Sequence, residues 1–136
     1  MKRSVPAFVA ALVTWVLVAS LFNRALRYVL EGYALAEPAM TFTLGMMFAR
    51  LIVGAVSSLA AGAVIGWIAP NSRRTPWIFA VLLLAAFIPE HVRLWRLFPV
   101  WYHLTFLLTL VPLVILGSLT TRMRLPKRGL LVSPES

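Results

Sequence analysis

Apolar residues in this chain come in long unbroken runs, not in the alternation of a strand or the narrow stripe of a soluble helix. Residues 5–22 are apolar apart from Pro6, Thr14 and Ser20. Residues 51–69 form a second run, preceded by the mostly apolar 39–49. Residues 77–88 make a short third run and 101–119 a fourth. A helix needs roughly 20 residues to cross a hydrocarbon core. The first, second and fourth runs approach that length, and the third does so only by recruiting residues 89–98. The pattern predicts an all-α fold: one integral membrane bundle of four transmembrane helices over 1–124. Their bounds fall at about 5–30, 39–69, 76–98 and 100–121, and 125–136 is read as a flexible cytoplasmic tail. Residues 39–49 either extend the second helix or lie along the outer interface. The third helix is expected to continue through Pro89, bent there.

Basic residues sort by side. Lys2, Arg3, Arg73, Arg74, Arg122, Arg124, Lys127 and Arg128 all fall on one face after four crossings. The other face carries Arg24, Arg27, Arg93 and Arg96, offset by Glu31, Glu37 and Glu90. The positive-inside rule then puts both termini in the cytoplasm. The same distribution accounts for the net charge of +9 without nucleic acid as a partner. A cleaved signal peptide is the rival reading of the first run, with Lys2-Arg3 leading and Val18-Ala19-Ser20 as the cleavage site. An apolar run of about 18 residues is long for such a segment, so a retained helix is expected. Trp67 and Trp77 fall at the inner boundary, and Trp95, Trp101 and Tyr102 at the outer one, as in aromatic belts.

Composition sharpens this picture. The chain is 61% hydrophobic and 12% charged, with mean hydropathy +0.89, which excludes an ordinary soluble domain. It has no cysteine, which removes disulfides, thiol redox chemistry and cysteine-ligated metals.

Two local patterns stand out. Gly54, Ser58, Gly62 and Gly66 recur every fourth residue, a spacing that lets another backbone approach closely. Packing within the chain, against the first and fourth helices, is preferred to a dimer seam. The second pattern is a polar layer at one depth. Counting about 1.5 Å per residue from the inner helix ends brings Asn23, Arg24, Arg50, Glu90, His91, Arg93 and His103 to about 21–29 Å. Ionisable groups at membrane depth are functional candidates. The expected arrangement is an Arg50–Glu90 pair with His91, Arg93 and His103 nearby, the surplus arginines receiving an anionic solute or lipid headgroup. The plainer alternative is that the arginines snorkel, Glu90 pairs with Arg93 at i, i+3, and His103 is an interfacial ring.

No catalytic constellation emerges. The chain has no aspartate, and two histidines with one deep glutamate do not define a metal site by spacing. No cofactor is expected. The stretches 40–51 (MTFTLGMMFARL), 53–62 (VGAVSSLAAG) and 98–104 (FPVWYHL) resemble a group of short bacterial four-helix integral membrane proteins. The resemblance spans nearly the whole chain and implies a bacterial inner membrane location. It implies no activity, since none is assigned to that group, and it suggests that Arg50 and residues 98–104 belong to a shared pattern. The expected function is a non-enzymatic structural or accessory membrane component, in contact with the lipid bilayer as a homo-oligomer or part of a larger complex. The alternative is a small transporter or binder of an anionic solute or lipid. A lipid-active enzyme using His91 or His103 as base is the weakest of the three readings.

Overall fold

The structure, a computed structural model, describes residues 2–125. Five helices follow in order: α1 (Ser4–Val29), α2 (Tyr33–Ala39), α3 (Leu44–Ile68), α4 (Arg74–Arg93) and α5 (Val100–Arg124). All but α2 are long and apolar enough to cross a membrane. The expected tail falls at 126–136, outside the described residues.

Helix α3 is the central element, packed along its length against α5 and α1, while α4 lies mainly against α5. The small-residue stripe explains this. A Cβ on Gly62 would fall on the backbone carbonyl of Val114, and one on Gly66 on that of Ser118. Gly117 meets the Leu59 carbonyl from the opposite side. Gly54 leaves room for a ring, since a Cβ there would stand 2.7 Å from Phe106 Cε2. The stripe is therefore filled by α5 of the same chain. Ser58 faces α1, where Trp15 Nε1 donates to its hydroxyl at 3.2 Å. The hydroxyl donates in turn to the Gly54 carbonyl at 2.8 Å, so no polar atom of this serine is stranded.

Two apolar clusters divide the interior. One, at mid-height, joins Ala11, Ala61, Ile65, Phe79, Leu83, Leu110 and Val114. The other caps one end with Tyr33, Ala36, Phe42, Met46, Phe98 and Tyr102. At the opposite end, Thr75 Oγ1 donates to Ser4 Oγ at 3.1 Å, and the Arg122 guanidinium donates to the Ser72 carbonyl. The start of α1, the α3–α4 turn and the end of α5 therefore share one end of the bundle.

Two expected elements differ from what forms. The predicted second helix, 39–69, begins only at Leu44. Gly32 takes a left-handed φ of 79° and starts the separate helix α2. Met40, at φ 55°, ends it, with Thr41 N–H donating back to the Ala36 carbonyl in a Schellman closure. Thr43 then caps α3, its side chain accepting from Met46 N–H. The predicted third helix, 76–98, stops at Arg93. Tight turns follow at residues 94–97, and Pro99 disfavours helical backbone at Phe98.

Candidate functional site

The capped end of the bundle holds a polar network that begins at Arg50. Helix α3 carries this side chain inward, half-buried, with its guanidinium carbon 4.6 Å from the centre of the Phe42 ring. Arg50 Nη1 donates to Tyr33 Oη at 2.9 Å, and Nε donates to Tyr102 Oη at 3.4 Å. Tyr33, fully buried on α2, passes the chain onward by donating to Asn23 Oδ1 at 2.7 Å. Asn23 Nδ2 reaches Glu37 Oε1 at 3.4 Å, and Arg27 grips both Glu37 oxygens, at 2.6 and 2.8 Å. Four elements thus converge: α1 supplies Asn23 and Arg27, α2 Tyr33 and Glu37, α3 Arg50, and α5 Tyr102.

The electrostatics follow from these bonds. Hydrogen bonds from Arg27 hold the Glu37 carboxyl below the ordinary carboxylate range. Burial raises Tyr33 above the ordinary phenol value, and the Arg50 guanidinium beside it opposes that rise. Among the described residues two ion pairs form, Arg27–Glu37 and Arg93–Glu90. Arg50 belongs to neither. Its direct partners are two neutral hydroxyls, which satisfy donors without cancelling charge.

A cavity of about 330 Å³ adjoins this network. Arg50, Tyr102, Asn23 and Glu37 form its polar side, and Trp15, Phe87 and Phe106 its aromatic side. The volume is at the lower end of ligand pockets, roughly 300–1,000 Å³. A second cavity, of about 730 Å³, lies at the other end among Arg73, Trp77, Ser118 and Arg122.

The expected Arg50–Glu90 pair does not form. Because α4 ends at Arg93, Glu90 sits in its last turn and pairs locally with Arg93 at 2.7 Å. Arg93 is largely exposed, at 70%, and Glu90 partly so, at 45%. Arg24 is exposed on α1, where it lines a third cavity, of about 400 Å³, with the network residues Asn23 and Arg27. Asn23 and Arg50 do converge, and their expected level is shared. His91 and His103 also meet, but as a separate buried pair with Nδ1 atoms 2.7 Å apart. His103 is wholly buried and not an interfacial ring. Sequence reasoning missed Tyr33 and left Glu37 as a bulk counter-charge. The signal was Tyr33 and Glu37 at i, i+4 just after Gly32, a short helix face.

Among the described residues, no three of His, Cys, Asp and Glu stand together as metal ligands. No protein-family model matches the chain, and neither a curated protein nor a solved structure matches it.

Proposed function

We propose that this chain is a small multi-pass protein of a bacterial inner membrane, with α1, α3, α4 and α5 crossing the bilayer. In this reading it binds an anionic amphiphile or solute at the Arg50 cavity, with no catalytic step of its own. The orientation proposed puts both termini in the cytoplasm, because Lys2, Arg3, Arg73, Arg74, Arg122 and Arg124 belong to one end of the bundle. The cavity then faces the opposite, periplasmic side.

The observation that carries the reading is Arg50 itself. An arginine at the centre of a membrane helix costs about 2.5–3.5 kcal/mol on insertion scales, and Arg50, in the second turn of α3, costs less than that. A good hydrogen bond to a charged group returns about 1.5–3 kcal/mol, so the 2.9 Å bond to Tyr33, with the longer and weaker one to Tyr102, offsets the cost. They leave the positive charge beside an aromatic-walled cavity, a setting that suits a headgroup with an apolar neighbour. Glu37 lines the same cavity, but its two oxygens are already gripped by Arg27.

Calorimetric titration of decanesulfonate into the protein in maltoside micelles tests this. Arg50→Ala is expected to weaken binding by about 10- to 100-fold, the equivalent of one charge-assisted hydrogen bond. A folded Arg50→Ala variant with unchanged affinity overturns the reading. Arg50→Lys, which keeps the charge and loses the fork, covers the case in which alanine unfolds the bundle.

A second reading, as an accessory subunit, draws on α1. Only Ala7 and Ala11 of its 26 residues are buried. Val5, Val9, Leu12, Val16 and Leu21 face outward, a surface that suits lipid or a partner helix. Native mass spectrometry from gently solubilised membranes separates these cases. A second protein at fixed stoichiometry supports the subunit, and a lone chain retaining an anionic lipid supports the binder.

A further inference from the structure

Behind the aromatic wall of the Arg50 cavity lie two imidazoles that anion binding alone does not require. His91 is 7% exposed and His103 not at all. Their Nδ1 atoms stand 2.7 Å apart. At that distance one nitrogen carries a hydrogen and the other presents a lone pair. The rings are held there by packing. His103 stacks on Trp95 with centroids 4.8 Å apart, and His91 lies 4.8 Å from Phe106 and 6.4 Å from Phe87. Phe87 and Phe106 are the cavity's own walls. Tyr102 is shared as well: its ring is 6.3 Å from that of His91, and its hydroxyl accepts from Arg50. His103 Nε2 is buried with no hydrogen-bond partner, so this ring has no second group with which to trade a proton.

We propose that the His91–His103 pair is a proton site coupled to the Arg50 cavity, so that the anion is taken up together with one proton. This rests on the anion-binding reading above. In the neutral pair, His91 Nδ1–H donates to His103 Nδ1, and His103 keeps its remaining hydrogen on Nε2. The free lone pair is then His91 Nε2, on the ring that retains some exposure. One solvated proton, drawn from the buffer, adds there, and no other bond of the pair changes. The product is an imidazolium donating to a neutral imidazole, one positive charge shared by two rings. A second proton would break the N–H···N bond and set like charges 2.7 Å apart, so the pair takes one. The charged and titratable groups facing it are Glu90 of α4, already held by Arg93, Tyr102 of α5, and beyond Tyr102 the Arg50 guanidinium of α3. Glu37 of α2 lies across the cavity. Adding a proton behind the wall makes the cavity more positive and favours an anion. By reciprocity the anion raises the proton affinity by the same factor.

The test is calorimetry with decanesulfonate, a monoanion at every pH used, titrated between pH 5 and 8, the range of histidine switching. Paired buffers of different ionisation heat count the protons taken up. Wild-type protein is expected to take up at most one proton per anion, most of it between the pair's titration midpoints in the free and anion-bound protein, with affinity rising there by at most about tenfold per unit fall in pH. His91→Gln, which removes the accepting nitrogen, should abolish the uptake and flatten the slope while binding at pH 8 persists, and His103→Gln, which changes only the group that His91 Nδ1 faces, should move the slope to a different pH. Should either variant fail to fold, nitrogen-15 histidine spectra of the wild type serve instead. Both rings should then titrate in one joint step that moves when decanesulfonate is added. Anion binding without proton uptake, a slope kept in His91→Gln, or two rings titrating independently overturns the coupling and leaves the Arg50 site standing. No decanesulfonate binding at any pH overturns both.

Discussion

Tyr33 is the residue on which the polar network turns. Its hydroxyl both accepts from Arg50 at 2.9 Å and donates to Asn23 at 2.7 Å. Tyr33→Phe strands a buried guanidinium N–H and an amide oxygen together, at a cost of about 1–3 kcal/mol. Tyr102→Phe removes a longer bond of 3.4 Å and should cost less, under about 1 kcal/mol. Unfolding in mixed micelles compares the two variants, and equal losses would show that Tyr33 is not the hub. Glu37 sets a pH dependence at the same end. Its folded pKa lies below its unfolded value, so its contribution is full above the unfolded value near 4.3 and fades as pH falls through the folded one. The docking of α2 should therefore loosen only below about pH 4. Hydrogen exchange at Ala34 and Ala36 reads this, and Glu37→Gln should remove the pH dependence.

At the scale of elements, the α3–α5 seam separates glycines by what stands opposite them. Gly62 faces the Val114 carbonyl, and backbone cannot retreat as a side-chain end can. Gly62→Ala should cost about 1–3 kcal/mol or more by overpacking. Gly45 has open space around its Cβ position, and Gly45→Ala should be neutral or stabilise by up to about 1 kcal/mol. Thermal melts of the two variants check the contrast. A Gly62→Ala variant that melts like wild type but loses its oligomer would move the seam to a contact between chains. The seam was legible in sequence because a four-residue repeat of small side chains has one physical use in a long apolar helix. The four long helices were legible for a similar reason, since length and apolarity are local properties. Helix α2 was not. Its seven residues are held by a left-handed Gly32, a left-handed Met40 and the burial of Tyr33, and only the first leaves a mark in the sequence. The Arg50–Glu90 expectation failed because depth counting fixes height along a helix and not direction around it. It also assumed that α4 ran on to residue 98.

At the scale of the whole molecule, the positive ends and the cavity end are opposite. The chain's lack of cysteine makes the proposed orientation directly measurable. Single cysteines at Ser4 and Asn71 should resist an impermeant thiol reagent in intact cells, and one at Glu31 should react. The reverse pattern would invert the protein and turn the Arg50 cavity to the cytoplasm. Sequence order and spatial order also differ here. Helix α3 is made before the partner that fills its glycine stripe and supplies Tyr102 to Arg50, which is α5. During synthesis α3 must wait with its stripe uncovered and its arginine half satisfied. A chain released before α5 would present that face to proteases and to any helix passing by. Completion of α5 is then the step that commits the newborn protein to survival.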